Sequence, residues 1–168
     1  IRDDRAEELA YIRSVLRDEA RAIEAIASRE GERFGAACDL IERCADQEGT
    51  VLVSGLGKSG HVGAKISATM ASLGIASHAV HPTEAAHGDL GRFRPQDMVL
   101  CLSHSGETDE VVALAATLRQ DGLPIVAITR GAGEGDEPSR LERLADVTLG
   151  VGVRKEAGGG LMAPTAST

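Results

Sequence analysis

Val51–Gly63 reads VLVSGLGKSGHVG, and this stretch decides the fold. An apolar run, Val51-Leu52-Val53, stops at a glycine-rich turn, and a helical pattern begins near Ser59. A strand, a glycine turn and a helix N-terminus make a place for an anion: glycines let backbone approach closely, and the free N–H groups with the helix dipole supply partial positive charge. Lys58 adds a full charge at the tip of the turn. Fifty residues on, Leu100–Thr108 (LCLSHSGET) repeats the design, with hydroxyls in place of the lysine.

Outward from these two turns, short apolar runs alternate with helical segments. Strands are expected at Thr50–Ser54, Ser77–Val80, Met98–Leu102, Ile125–Thr129 and Val147–Val151, and helices at Ser59–Leu73, Thr108–Asp121 and Pro138–Leu144. Continuous Val/Ile/Leu strands separated by helices predict an α/β fold, a five-stranded parallel sheet flanked by helices on both faces. Gly74 and Gly122 sit where left-handed helix caps are wanted, and Pro138-Ser139 opens the last helix. In such sheets ligands bind beyond the carboxyl ends of the strands, where strand order reverses. Both turns leave carboxyl ends, so they are expected to converge on one crevice.

Residues 1–47 differ in character. Leu9, Ile12, Leu16, Ile23 and Ile26 fall on one stripe, with Glu19 the one mismatch, which predicts a long amphipathic helix over Arg2–Arg29. Its stripe packs either on its own domain or on an oligomer partner. A second helix is expected over Gly31–Asp46, with Phe34, Cys38, Ile41 and Cys44 inward.

Composition narrows the function. Of 168 residues, 42% are apolar but only 2% aromatic, so the core is aliphatic and the rings that stack on bases or sugars are missing. A net charge of -8 argues against a nucleic-acid partner but leaves room for a local anion site. No apolar run approaches the roughly 20 residues of a membrane span, and the N-terminus is charged and helical rather than leader-like. The three cysteines, Cys38, Cys44 and Cys101, lack zinc or CxxC spacing and fit a reduced, cytoplasmic setting. The chain begins without Met and stops at Ala166-Ser167-Thr168, as a piece of a longer protein would.

Rival motifs fit less well. Gly55, Gly57 and Gly60 have GxGxxG spacing, yet the second strand ends at Val80-His81-Pro82 and the nearest acid is Glu84, not the ribose-binding acid a dinucleotide site expects. A Walker A loop would need glycine at Leu52. His61, His78, His81 and His87 match no strong metal spacing. Ser105 with the Glu107-Thr108 turn could be a plain helix cap, but a cap leaves Ser103 and Gly106 without a reason. Three hydroxyls ahead of a helix favour a phosphate.

The strand followed by S-x-S-G-x-T resembles the sugar isomerase (SIS) domain. GLGKSGHVG, VHPTEAAHGDLG, LSHSGETDE and VRKEAGGGLMAPTAST look like its arabinose-5-phosphate isomerase branch, over Thr50–Thr168. The resemblance implies a flavodoxin-like three-layer sandwich over residues 48–168, truncated at its C-terminus, and oligomers, usually tetramers. It implies interconversion of D-ribulose 5-phosphate and D-arabinose 5-phosphate, feeding the eight-carbon sugar of lipopolysaccharide or capsule. Carried over by motif, Lys58, Glu110 and Glu156 are linked with catalysis. Gly57, Ser59, Gly60, His87, Ser103, His104, Ser105 and Thr108 fall on phosphate and sugar contacts. His81 lies where zinc acts as an inhibitor, and no cofactor is required. Isomerisation needs a base for a C–H proton and a group that supports enediolate charge. Glu156, beside Gly158-Gly159-Gly160, is favoured as that base, with Lys58 at the oxyanion or phosphate and Glu110 as a ring-opening or orienting acid. Glu110 is otherwise an ordinary first-turn helix acid.

Departures from the branch are His104 for Asn, and Gly158-Gly159-Gly160-Leu161-Met162 for a run that commonly reads Cys-Pro-Leu-Gly-Leu. The sequence stops at Thr168, before the region where the branch carries a further catalytic histidine, and the resemblance includes no tandem CBS domains of the kind found in many members. A SIS module that senses a phosphosugar or nucleotide-linked sugar without turnover is the rival reading, and a heptose-phosphate isomerase a weaker third.

Overall fold

The structure, a computed structural model, describes residues 2–132, 136–152 and 157. Two helices, α1 (Arg2–Arg29) and α2 (Gly31–Asp46), lead into an alternating unit. It runs β1 (Val51–Gly55), α3 (Lys58–Ser72), β2 (Ser77–Val80), α4 (Pro82–Ala86), a 3-10 turn (Asp89–Arg92), β3 (Met98–Leu102), α5 (Asp109–Gln120), β4 (Ile125–Thr129), α6 (Arg140–Leu144) and β5 (Val147–Gly150). The five strands form one sheet in the order β2-β1-β3-β4-β5, every neighbouring pair parallel.

Period-two alternation divides the strands between two cores. Val51, Val53, Met98, Leu100, Leu102 and Val126 face Ala37, Leu40 and Cys44 of α2. Leu52, Val99, Cys101, Ile125 and Ala127 face Val111, Leu114, Ala115 and Leu118 of α5. β1 and β3 are buried along their whole lengths, so each large aliphatic residue there contributes about 1.5–3 kcal/mol by leaving water. Gly74 and Gly122 take left-handed φ values of +84° and +81° past α3 and α5, as their positions predicted.

Three expectations change. In α2 the buried residues are Ala37, Leu40 and Cys44, while Phe34 and Cys38 are exposed, so the inward face is rotated from the predicted one. Small Ala37 lets α2 come close to the sheet, which a face led by Phe34 would not. The last helix starts later than predicted, at Arg140, because Ser139 and Glu142 form a reciprocal capping box that sets its first turn. Between β2 and β3, α4 and the 3-10 turn stand where no element was assigned. Leu9, Ile12, Leu16 and Ile23 on α1 are 47%, 52%, 60% and 69% exposed, so the stripe lies open in this chain.

Where α1 meets α2, Glu30 is buried and ties the helices to the sheet. Its carboxylate accepts from Arg29 and Arg33, at 2.9 and 3.4 Å, and from the Gly150 N–H at the end of β5. Arg29 also donates to the Gly150 carbonyl at 2.8 Å. Burial raises the Glu30 pKa, but the Arg29 hydrogen bond, the Gly150 N–H and the two guanidinium charges outweigh it and hold the carboxyl below its ordinary value.

Candidate functional site at the carboxyl ends of β1 and β3

The sheet reverses direction of growth between β1 and β3: β2 is added on one side of β1, then β3, β4 and β5 on the other. Gly55, the last residue of β1, pairs with Leu102, the last of β3. The turns that follow therefore start side by side at the switch point, where α/β sheets hold ligands.

The first turn folds tightly on itself. A Cβ on Gly60 would lie 2.7 Å from the Gly55 carbonyl oxygen, and one on Gly55 would lie 2.9 Å from the Ser59 carbonyl carbon. Both glycines are thus required by the turn before any ligand arrives. Gly57 is different: its φ is +57°, and open space surrounds the point where a Cβ would stand. It precedes α3 without any side-chain cap, leaving the first-turn N–H groups open to an anion. Lys58 is the first residue of α3; it is exposed and makes no ion pair among the described residues. Ser59 is half-buried beside it.

Internal bonds hold the second turn instead. Ser103 is buried, and its hydroxyl lies 2.8 Å from that of Thr108, the N-cap residue of α5. Thr108 therefore does not cap its own helix, and the N-terminus of α5 is open as well. Ser105 Oγ accepts from the Glu107 N–H at 3.1 Å, so it shapes the turn rather than capping α5. Gly106 takes a φ of +67°, donates to the Ser103 carbonyl and accepts from the Leu141 N–H of α6 at 3.0 Å. His104 is exposed, and its carbonyl accepts from the Arg130 N–H at 2.8 Å. Glu107 is held below the ordinary carboxylate range by the hydrogen bond from the Arg140 side chain, reinforced by the Arg140 backbone N–H. Glu110 is exposed in the first turn of α5.

A cavity of about 500 Å³ opens beside the first turn, between the ends of β1 and β2. Gly57, Gly60, His61, His81 and Glu84 line it. His81 is the N-cap residue of α4 and His87 its C-cap, so the short helix that the sequence did not reveal sets both histidines. The structure brings Gly57, Gly60 and His81 to this cavity, and Ser103, Ser105 and Thr108 to the neighbouring turn. His61 and Glu84 on its wall fall within quoted motifs but carry no assigned site role; only the folded chain shows that they face the same cavity as Gly57 and His81. Among the described residues no three His, Cys, Asp or Glu side chains are grouped to hold a metal. His81 has no such group around it among the described residues. Glu156 lies outside the described residues; Ala157, next to it, is buried.

A five-stranded parallel sheet in this order, with two uncapped helix N-termini at its switch point, defines a doubly wound α/β domain arranged to take an anionic ligand. The chain belongs to the SIS domain family, whose pattern matches residues 45–168. It is 47% identical over 137 residues to the arabinose 5-phosphate isomerase KdsD of Shigella flexneri, covering 82% of this chain and 39% of that protein. It is 40% identical over 166 residues to the arabinose 5-phosphate isomerase KdsD of Pseudomonas aeruginosa, covering 97% of this chain and 48% of that one. The chain thus spans less than half the length of these curated relatives. A solved structure from E. coli CFT073, in complex with a phosphosugar, superimposes with a TM-score of 0.85 at 32% identity, covering 96% of this chain and 82% of that one.

Proposed function

We propose that this chain is the isomerase domain of an enzyme that interconverts D-ribulose 5-phosphate and D-arabinose 5-phosphate. The observation that carries the reading is the placement of Lys58 and Glu110 in the first turns of α3 and α5, the two helices that start from paired strand ends. The arabinose 5-phosphate isomerases among its relatives support the substrate class. A base takes a proton from C1 of the ketose, the electrons move into a C1–C2 enediolate, and the proton is returned to C2 of the aldose. A second proton leaves the C1 hydroxyl and arrives on O2, so both protons move from position 1 to position 2 and the reaction balances without a redox cofactor.

In this scheme Glu156 is the C–H base, Lys58 holds the developing oxyanion or the phosphate, and Glu110 orients or opens the sugar. Ser59, Ser103, Ser105, Thr108 and the Gly57–Gly60 backbone take the phosphate, and His104 and His87 reach the rest of the sugar. A positioned acid–base pair contributes about 10² to 10⁴ in rate, and a fixed charge at the oxyanion about 10² to 10³. The protein works in the cytoplasm, in the supply of lipopolysaccharide or capsule precursors. The open apolar stripe of α1 supports a homo-oligomer, a tetramer, in which a second copy covers Leu9, Ile12, Leu16 and Ile23.

The test is interconversion of the two pentose 5-phosphates by the full-length protein, its Lys58→Ala variant and its Glu156→Gln variant. Turnover lost in both variants, with arabinose 5-phosphate still bound by Glu156→Gln, is the expected outcome. No turnover by the unaltered protein sinks the enzymatic reading and leaves the phosphosugar sensor in its place.

A further inference from the structure

The turn assigned to the phosphate carries an electrostatic contradiction. Glu107, Asp109 and Glu110 lie in or beside it, three negative charges around a place meant for a dianion. Repulsion from exposed acids beside a bound dianion would weaken its binding, and no lysine or arginine occurs between Ser103 and Leu118 to offset it.

The offset comes from far along the chain. Arg140, the first residue of α6, donates from Nε to Glu107 Oε2 and from Nη2 to the Glu107 carbonyl at 2.6 Å. The same Nη2 donates to Asp109 Oδ1 at 2.7 Å, and the Arg140 backbone N–H donates to Glu107 Oε1 at 2.9 Å. One guanidinium thus engages two of the three acids, and Glu110 has no such ion pair among the described residues. The direction of pull matters too. α6 follows β4, which lies on the opposite side of β3 from β1. Glu107 is drawn toward β4, and the first turn and Lys58 lie on the other side. α6 also presses on the turn directly: Ser139 Oγ would lie 2.0 Å from a Cβ on Gly106.

We propose that Arg140 is a positioning residue for phosphate binding: it neutralises Glu107 and Asp109 and draws Glu107 onto α6, so that the Ser103–Thr108 turn can accept a dianion. The inference rests on the reading that this turn holds the phosphate. Glu110 is left uncompensated, available to act on the sugar. Lys58 supplies charge to the ligand, whereas Arg140 removes charge that would oppose it. The guanidinium suits the task because its planar fork reaches a carboxylate, a carbonyl and a second carboxylate at once, which an ammonium cannot do in fixed geometry.

The experiment measures binding of arabinose 5-phosphate and of inorganic phosphate, by calorimetry on the full-length protein, together with steady-state kinetics. Arg140→Ala is expected to raise Kd and KM about threefold to tenfold at low ionic strength, as one or two exposed charges near a dianion would. The expected kcat stays within about twofold, because Arg140 supports only binding. The deficit is expected to shrink at about 0.5 M salt, where the Debye length is only a few ångströms. Arg140→Lys should fall between the two. The discriminating variant is Arg140→Ala with Glu107→Gln, which removes the Glu107 charge without restoring the tie, leaves Asp109 charged, and should recover a clear part of the affinity. Unchanged affinity in Arg140→Ala, or a loss that Glu107→Gln does not recover, overturns the proposal. If the unaltered protein binds inorganic phosphate but turns over neither sugar, the isomerase reading fails while the phosphate arm still decides the role of Arg140.

Discussion

The turns after β1 and β3 occupy equivalent places, each leaving a buried strand and entering a helix without a side-chain cap. They are built in opposite ways. In the first, glycines close the backbone on itself and the charged group, Lys58, stands exposed, with no ion pair among the described residues. In the second, each hydroxyl of Ser103, Ser105 and Thr108 already has a partner within the turn. Ser103 meets Thr108, Ser105 meets the Glu107 N–H, and α6 holds the turn from outside through Ser139, Leu141 and Arg140. Under the proposed function, the contrast amounts to two ways of receiving one anion. A long cationic side chain loses up to about 2 kcal/mol of rotamer freedom when it is ordered on a ligand. A turn held in advance loses little, so its dipoles act at nearly full strength.

The largest expected effect tests the open turn. Lys58→Ala should lower kcat about 10² to 10³-fold while leaving the melting temperature unchanged, since Lys58 is exposed and outside the ion pairs of the described residues. A large drop in stability would show that Lys58 is part of the scaffold and undo the contrast. Next comes a paired comparison of glycines. Gly106→Ala puts a Cβ at φ +67° and against Ser139, so it should cost about 2–4 kcal/mol in denaturant unfolding. Gly57→Ala meets open space and should cost only the strain of its positive φ, about 1–2 kcal/mol. Equal costs would mean that α6 does not brace the second turn.

Ser103→Ala should be milder, about 1 kcal/mol, or roughly 2–4 °C in melting temperature, because it removes one hydrogen bond and leaves Thr108 Oγ1 without its partner. The last test acts at neither turn. The Glu30 pKa is depressed in the folded state, so its stabilising contribution is present above the ordinary value of 4.5 and is lost as pH falls through the lower folded value. Acid unfolding of Glu30→Gln should accordingly lose this component below pH 4.5, with phosphate affinity at neutral pH unaltered. A change in affinity would tie the α1–α2 junction to the site.

Local chemistry explains what could be read in advance. The strands were legible because burial on both faces requires continuous runs such as Val51-Leu52-Val53 and Met98-Val99-Leu100-Cys101-Leu102. The two turns were legible because glycines and hydroxyls cluster within a few residues. The short α4 was not, since five residues, Pro82–Ala86, carry too little periodicity to reveal a helix. The buried face of α2 was misjudged because hydrophobicity favoured Phe34 and Cys38, whereas close approach to the sheet favoured Ala37 and Leu40.

Residues near one another along the chain were enough for the parallel sheet, for the position of the glycine-rich and hydroxyl-rich turns, and for Glu110 in the first turn of a helix; Lys58 was read at the tip of its turn and proves to open α3. Only the tertiary structure decided that Ser103 engages Thr108 rather than leaving it to cap α5, that Glu30 ties two helices to β5, and that Arg140 joins Glu107 from 33 positions away. Such contacts depend on which strand lies beside which. Periodicity and motif spacing describe one segment at a time, whereas packing brings together charges that the chain keeps far apart.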